Sequence, residues 1–393
     1  MKKYSLLLMM LISLNLFAQN DNINSSLLNT AEILIASDSK LTIGGYGQID
    51  FNQTLSSDTY QNGNLDVHRL VMLFAYRFNS KTNFVTEIEF EHVKEVYIEQ
   101  AFLNYKINDY LNFRGGLLLI PMGIINEYHE PPTFNGVERP NLDNKIVPTT
   151  WREIGAGFTG RFNDIALKYQ IYVVNGFSGY DGEANFSGAK GLRSGRQKGA
   201  ESFMSSPGLS GKIDYYGIRR LKLGFATYFG NSNSTLYDGI NKSDAELLLQ
   251  ADSSVIGIKM IGADLRYNYK GFQLRGQYNF VDIENSDQYN EFTGSDLAGN
   301  LSGYYGEIAY NVFRPFNFKT ELTPFIRYEN YDTHYSVDPL IVKNEAYHLE
   351  EIIFGVGWKL AKGAVLKADY QVIKSKIDTG YRNQLNIGIG VMF

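Results

Sequence analysis

The sequence alternates between apolar and polar residues over most of its length, and this period of two restricts its fold more than any other feature. In residues 65–78, apolar side chains such as Leu70 lie on one face and basic side chains such as Arg69 lie on the other. Residues 84–91 and 272–280 repeat the pattern. Because successive side chains of a β-strand point to opposite faces, each segment is predicted to be a strand with one apolar and one strongly polar face.

Sixteen such segments are predicted between Leu41 and the C-terminal Phe393, and the connections between them alternate in length. The predicted strands are 41–51, 66–78, 83–93, 95–107, 111–120, 151–162, 165–174, 209–217, 219–230, 255–270, 272–284, 301–313, 317–331, 350–361, 363–375 and 380–393. Short turns at one end and long loops at the other are typical of outer-membrane barrels, in which the short turns are periplasmic. The predicted fold is therefore all-β: a 16-stranded antiparallel transmembrane β-barrel with short periplasmic turns and long extracellular loops. Its third long loop, residues 121–150, is expected to fold inward.

The two ends of the chain predict export to a membrane. Residues 1–18 combine Lys2 and Lys3 with a short apolar run and the small Ala18, which is typical of a cleaved signal peptide rather than an N-terminal anchor. Residues 19–40 are predicted to be a flexible leader or one weak helix, and residues 41–393 the barrel. The predicted location is the outer membrane of a Gram-negative bacterium.

The last strand alternates up to Phe393, where the chain ends on an aromatic residue. This pattern resembles the C-terminal strand of bacterial outer-membrane proteins. Phe393 is therefore predicted to be a membrane-insertion signal that the barrel-insertion machinery recognises. Lipid and lipopolysaccharide are the other partners expected of such a protein.

The composition argues against several other functions. The absence of cysteine excludes disulfides, thiolate metal sites and cysteine nucleophiles, and a formal charge of −5 argues against a non-specific nucleic-acid binder. No G-x-S-x-G motif is present, so an outer-membrane phospholipase, which is also a smaller barrel, is the weaker enzymatic alternative. We predict no catalytic residues, no cofactor and no metal.

A barrel of about sixteen strands encloses an aqueous lumen, which predicts a porin for the passive diffusion of small hydrophilic solutes. Two alternatives remain open. One is a transporter specific for oligosaccharides or aromatic solutes, in which Tyr46, Tyr172 and Tyr228 stack with the solute. The other is a non-conducting structural barrel or adhesin.

The stretch NEYHEPPTFNGVERP, residues 126–140, concentrates charged residues and prolines in the third long loop. Proline fixes φ and removes an N–H donor, so the stretch is predicted to be an ordered loop against the pore wall. A Ca²⁺ ion held by Glu127, His129 and Glu130 is a weaker interpretation. The predicted constriction-loop and pore-lining residues are Glu127, His129, Glu130, Glu138, Arg139, Lys145 and Arg152. Of these, Arg139 or Arg152 is expected to face the solute path.

Charges on the polar strand faces predict the chemistry of the lumen, where basic residues modestly outnumber acids. This excess indicates a mild anion preference, unless the charges form mutual ion pairs. A basic, glycine-rich loop at 188–199 could attract anions, contact lipopolysaccharide phosphates or be a plain surface loop. The predicted lumen-facing basic residues are Arg69, Arg77, Arg114, Arg161, Lys222, Arg275 and Arg327.

Two stretches carry a resemblance to a known family. RGGLLLIPMGIINEYHEPPTFNGVERP (114–140) and IVPTTWREIGAGFTGRF (146–162) resemble the porin O/P family, the phosphate-selective porins, in a branch found in flavobacterium-type bacteria. The resemblance implies a sixteen-stranded homotrimeric porin with an inward-folded third loop. It also implies phosphate or general anion selectivity through inward arginines and lysines. The family's phosphate-site residues do not map one by one onto this chain.

Overall fold

A computed structural model describes residues 28–56 and 59–393. The predicted signal peptide, 1–18, and residues 19–27 of the predicted leader lie outside the described residues. The strands are β1 (Leu41–Thr54), β2 (Asn64–Arg77), β3 (Thr82–Glu91), β4 (Glu95–Lys106), β5 (Asn112–Leu119), β6 (Arg152–Phe162), β7 (Leu167–Val174), β8 (Ser178–Tyr180), β9 (Gly208–Tyr215), β10 (Leu221–Asn231), β11 (Asn233–Ser234), β12 (Gly257–Tyr269), β13 (Phe272–Glu284), β14 (Asn300–Tyr310), β15 (Glu321–Ser336), β16 (His348–Ala361), β17 (Ala364–Ser375) and β18 (Arg382–Met392).

All of these strands except β8 and β11 form one closed antiparallel barrel, and β1 completes it by pairing with β18. β8 and β11 form a separate two-stranded parallel sheet among the long loops. The predicted sixteen-stranded barrel is therefore confirmed. The boundaries differ most at β15, which is predicted at 317–331 and runs from Glu321 to Ser336. Its start is later because Asn317, which the prediction assigns to the strand, adopts a left-handed conformation at the end of a 3-10 turn.

The barrel carries apolar side chains on its outside and polar side chains on its inside. Tyr278 and Ile308 are 43% and 49% exposed on the outer face, whereas Gln277 and Glu307, one residue away, are 4% and 3% exposed. A soluble barrel would reverse this order. An apolar outer band around a polar interior is the arrangement of barrels that face lipid.

The connections between barrel strands define two different ends. We call the end with the connections at 78–81, 107–111 and 163–166 the short-turn end, and the opposite end the long-loop end. The chain leaves β5 at the long-loop end and re-enters the barrel, and we call residues 120–151 the inner segment.

The described chain also contains four helices: α1 (Thr30–Ala36), α2 (Leu142–Lys145), α3 (Ala245–Ser253) and α4 (Ser286–Thr293). The first lies in the segment predicted as a leader. Its Asn29 cap accepts a hydrogen bond from the Glu32 N–H, and the Glu32 side chain accepts one from the Asn29 N–H. Among the described residues, no helix is long and apolar enough to span a membrane.

The C-terminal residue takes part in closing the barrel. The Phe393 N–H donates to the Gly45 carbonyl over 2.9 Å, and the Gly45 N–H donates to the Phe393 carbonyl over 3.0 Å. The neighbouring Met392 also fixes this end of β18, because its N–H donates to the Gly363 carbonyl in the β16–β17 turn over 2.7 Å.

We expect a methyl group at Gly363 to disturb this closure. A Cβ there would lie 1.9 Å from the Met392 carbonyl oxygen, whereas a Cβ at Gly306 would meet nothing within 4 Å. Gly363→Ala should lower the free energy of unfolding by about 1–3 kcal/mol, the usual cost of overpacking. Urea unfolding in lipid vesicles measures the difference, with Gly306→Ala as the matched control. Equal midpoints for the two variants would contradict this account of the closure.

Candidate functional site

The inner segment crosses the lumen and binds the far wall of the barrel through its backbone. The Ile124 N–H donates to Gln277 Oε1 on β13 over 2.8 Å, and the Leu142 N–H donates to Glu329 Oε2 on β15 over 3.0 Å. The Val137 N–H donates to Asp369 Oδ2 on β17 over 2.5 Å. Polar side chains on the wall thus satisfy backbone groups that a buried loop would otherwise leave unpaired.

Asn126 fastens the two ends of the inner segment to each other. Its Nδ2 donates to the carbonyls of Ile120 and Trp151 over 2.6 and 2.8 Å, and its Oδ1 accepts from the Trp151 N–H over 2.8 Å. Trp151 is fully buried and stacks on Phe177 at 4.7 Å between ring centroids. This arrangement fixes where the inner segment leaves and rejoins the wall.

Glu127 connects the inner segment to two strands of the wall, β7 and β9. Lys212 Nζ lies 2.8 Å from Glu127 Oε2, and Gln170 Nε2 donates to Glu127 Oε1 over 2.6 Å. Lys212 is also 3.3 Å from Asp264 Oδ2 and donates to the Gly123 carbonyl. Burial alone would raise the pKa of Glu127, but Lys212 and other nearby lysines outweigh it and hold that pKa well below its usual range.

A second group of contacts lies on the opposite wall. Lys367 Nζ donates to the carbonyls of Phe134 and Gly136 in the inner segment over 2.9 and 2.7 Å. Arg327 Nε lies 2.8 Å from Glu329, and its NH1 lies 3.5 Å from Glu307. Lys367 thus binds the inner segment and Arg327 pairs with neighbouring acids. Both positive charges therefore interact with groups of the protein itself.

Several predicted constriction residues are anchors of the inner segment. His129 Nε2 lies 3.2 Å from Glu87 Oε1 on β3, and Glu130 accepts a hydrogen bond from the Thr30 hydroxyl of α1. With Glu127 bound to Lys212, the three residues considered for Ca²⁺ point to three different partners. They do not converge on one ion in this arrangement.

The remaining predicted constriction residues differ in their access to solvent. Arg152 is 2% exposed and lies 2.6 Å from Glu99, so it does not face an open path. Glu138 accepts from Asn52 over 2.8 Å and lines a vestibule at the long-loop end, as does Arg139. Lys145 is half-buried and follows the vestibule residue Asn144 in sequence. Burial lowers the pKa of Lys145, and the positive charge of Arg193 lowers it further.

All seven predicted lumen-facing basic residues lie within 3.9 Å of a carboxylate oxygen. Four of them pair with acids of the barrel strands, as the interpretation of mutual ion pairs expects, and three pair with acids of the predicted leader. The pairs are Arg69–Glu89, Arg77–Asp38, Arg114–Glu32, Arg161–Glu32, Lys222–Asp214, Arg275–Glu307 and Arg327–Glu307, with Glu329 as a further partner of Arg327.

The vestibule is a cavity of about 530 Å³ between the inner segment and the wall formed by β1, β2, β17 and β18. Amides, hydroxyls and charges of both signs line it. Within the described parts of the chain, its Arg139 and Arg193 form no ion pair. Its charged and imidazole side chains are Asp50, Asp66, His68, Arg69, Glu91, His92, Glu138, Arg139 and Arg193.

The vestibule wall contains a group of possible metal ligands that the sequence pattern did not indicate. Ligand atoms of Asp66, His68 and His92 lie within 4.8 Å of one another. However, Arg69 NH2 lies 2.9 Å from His68 Nε2 and can only donate to it, so the proton of a neutral His68 ring is on Nδ1. That proton occupies the atom facing Asp66, which leaves the group two free ligands rather than three.

The tyrosines considered for solute stacking are not accessible. Tyr46, Tyr172 and Tyr228 are at most 2% exposed. The Tyr46 hydroxyl donates to Glu87 over 2.8 Å, and Tyr228 packs on Trp151 at 4.9 Å between ring centroids. The prediction that these rings stack with a solute is therefore wrong for this arrangement, because protein side chains already cover them.

Comparison with solved structures shows the class of fold. The chain superposes on the outer-membrane channel DcaP of Acinetobacter baumannii with a TM-score of 0.58 and 13% identity, covering 90% of this chain and 97% of that one. For the anion-selective porin from Comamonas acidovorans the TM-score is 0.55 with 11% identity, covering 90% and 99%. For OmpT of Vibrio cholerae it is 0.55 with 10% identity, covering 91% and 99%. The chain thus has the fold of the outer-membrane porins.

No family model matches the chain, so membership of the porin O/P family stays a prediction. A protein of Aquifex aeolicus (strain VF5), described as uncharacterized, is 33% identical over 347 residues, which is 84% of this chain and 75% of that protein. The chain belongs to the same protein family as this Aquifex aeolicus protein.

We expect Lys212 to contribute strongly to the stability of the barrel with its bound inner segment. Lys212→Met would remove the cation that pairs with the buried Glu127 and the nearer of the two cations beside Asp264, where Arg266 lies 4.0 Å away. Breaking a buried pair costs about 3–5 kcal/mol. Urea unfolding in lipid vesicles measures the loss. Lys376→Met is the control, because Lys376 and Glu350 form an exposed pair at 2.8 Å whose removal should leave stability unchanged. Equal stability of the two variants would show that the Glu127 contact does not hold the segment.

Proposed function

We propose that the protein is an outer-membrane porin, a water-filled channel for the passive diffusion of small hydrophilic solutes. The observation that carries this proposal is the inside-out barrel of sixteen strands, whose polar interior is crossed by an anchored inner segment. Barrels of this size enclose a lumen wide enough for water and solutes. A segment bound to opposite walls narrows that lumen without filling the long-loop mouth.

The vestibule indicates the kind of solute. Among the described residues, its lining offers amides, hydroxyls, imidazoles and charges but no Phe, Tyr or Trp, so it suits small polar or charged molecules better than apolar ones. Its volume of about 530 Å³ favours solutes of the size of small metabolites over oligosaccharides. A role as a channel rather than an enzyme is proposed from the porin fold.

A modest preference for anions is the finer part of the proposal. The lumen bases are largely neutralised by carboxylates, whereas Arg139 and Arg193 line the vestibule together with Asp50 and Glu138. Charge rings at the narrow part of a pore, rather than net charge, set ion selectivity. The proposed anion preference rests on Arg139, because this residue lies on the inner segment and, among the described residues, donates only to the His129 carbonyl. Phosphate as the favoured anion rests on the porin O/P resemblance.

The partners of the protein are proposed from its outer surface and its last strand. The exposed apolar band would contact lipid and lipopolysaccharide, and the last strand ending at Phe393 would be recognised during insertion. A homotrimer in the outer membrane is proposed from the porin O/P resemblance. In support, one structure of Vibrio cholerae OmpT with this fold is described as a trimer form.

Planar-bilayer recording tests the porin function directly. The purified protein should produce large, ohmic open steps in potassium chloride that simple sugars do not block. Block by a sugar would instead favour a substrate-specific transporter. Absence of conductance from protein that is shown to be folded would contradict the porin function and favour a structural barrel or adhesin.

Reversing the charge of Arg139 should change ion selectivity. Arg139→Glu should move the reversal potential in a potassium chloride gradient toward cation preference, because an acid replaces a base on the vestibule wall. Lys242→Glu is the matched control, since Lys242 is exposed on a loop and does not line the vestibule. If both variants keep the wild-type reversal potential, Arg139 does not face the ion path.

A further inference from the structure

Helix α1 lies inside the short-turn end of the barrel, against the part of the wall that runs from β1 to β7. At one edge of this part, Glu32 reaches Arg114, Arg161 and Lys168 on β5, β6 and β7. Near its other edge, Arg77 of β2 donates to the carbonyls of Ile35 and Ser37 at the end of the helix. The helix therefore occupies one side of the mouth opposite to the vestibule.

The Glu32 carboxylate occupies a site built from three cations. Its Oε2 lies 2.9 Å from Lys168 Nζ and 3.2 Å from Arg161 NH2, and its Oε1 lies 3.6 Å from Arg114 NH2. Burial alone would raise the pKa of Glu32, but Lys168, Arg114 and Arg161 lower it to about 2. Among the described residues, Glu32 is the one carboxylate within 4.0 Å of these three cations, and Glu127 is a more distant negative charge near Lys168 and Arg114. Three cations would therefore lose their nearest partner if Glu32 left, and the site would attract another anion.

An apolar patch on the lumen wall explains why the helix docks there. Val71, Leu73 and Ala75 point inward from β2 and are at most 4% exposed, and they belong to one buried cluster with Ala31 and Leu34 of α1. Such residues would face water in an open lumen. Covering them stabilises α1 in the mouth by the hydrophobic effect, at about 25 cal/mol per Å² of apolar surface buried.

The attachment of the helix is nonetheless limited. α1 has seven residues, and a helix of this length is not stable in isolation. It joins the barrel through residues 37–40, and the Thr30 hydroxyl donates to Glu130 of the inner segment. A cavity of about 20 Å³, lined by Asn29 and Arg114 among others, separates part of α1 from the inner segment and has room for about one water molecule.

We propose that α1 is a displaceable plug that narrows one side of the short-turn mouth, and that Arg114, Arg161 and Lys168 form a binding site for small carboxylate anions that compete with Glu32. The site already holds a carboxylate, so a free one of the same shape can make the same ion pairs. Binding of the anion releases Glu32, and α1 then leaves the mouth. The effect of this release on ion flow rests on the proposed porin function, whereas the binding site does not.

Thiol labelling follows the plug without any measurement of current. The chain contains no cysteine, so Leu34→Cys introduces one reactive group at a position that is 7% exposed in the docked helix. We expect its reaction with a maleimide in detergent solution to be slow, and severalfold faster when Glu32→Lys is added. Asp109→Lys is the matched control, because Asp109 lies in a turn at the same end and, among the described residues, forms its ion pair with Lys106 alone.

Succinate is the probe for the anion site, with succinamide as its uncharged counterpart. Succinate should raise the labelling rate of Leu34→Cys while Glu32 is present and have no effect in the Glu32→Lys background. Succinamide should have no effect in either. Equal labelling rates with Glu32→Lys and Asp109→Lys, or a lack of response to succinate, would overturn the proposal.

Bilayer recording of the same variants separates this proposal from the porin function. Larger open steps for Glu32→Lys than for Asp109→Lys would support the plug. Faster labelling with unchanged steps would show that α1 moves without closing the mouth and would overturn the plug. If labelling responds to succinate but no variant conducts, the carboxylate site is supported and the porin function is contradicted.

Discussion

The structure depends on the pairing of charges that the barrel encloses. An inside-out barrel places carboxylates and bases on inward strand faces, where isolated charges are costly and paired ones are tolerated. The inner segment supplies many of the missing partners. Glu127 accepts from Lys212, and the carbonyls of Phe134 and Gly136 accept from Lys367. The lumen wall and the segment thus stabilise each other.

Because the lumen charges are paired, the number of inward basic residues does not by itself indicate an anion path. A count of inward bases suggested an anion path, yet Arg69, Arg275 and Arg327 lie next to Glu89 and Glu307. The proposed ion selectivity therefore rests on Arg139 and Arg193, which line the vestibule and form no ion pair among the described residues. The two mouths also differ, because a wide polar vestibule opens at one end and a short helix held by ions lies in the other.

The barrel could be predicted from the sequence because a period of two is a local property that each strand displays by itself. The count of sixteen, the long third loop and the position of the last strand followed from alternation and connection length. Contacts across the lumen could not be predicted, because they join residues far apart in sequence. Glu32 lies in a polar stretch without periodicity, and only the fold brings it to Arg114, Arg161 and Lys168. Similarly, nothing local to Arg152 shows that Glu99 covers it.

The central claim is that the inner segment lies across the lumen against the wall, and a disulfide tests it most directly. A Cβ placed on Gly388 of β18 would lie 2.8 Å from Val137 Cγ1, so cysteines at the two positions are close enough to bridge. In this cysteine-free chain, Val137→Cys with Gly388→Cys should form an internal disulfide under mild oxidation, detectable by mass spectrometry of the digested protein. Two free thiols in folded, oxidised protein would contradict the account.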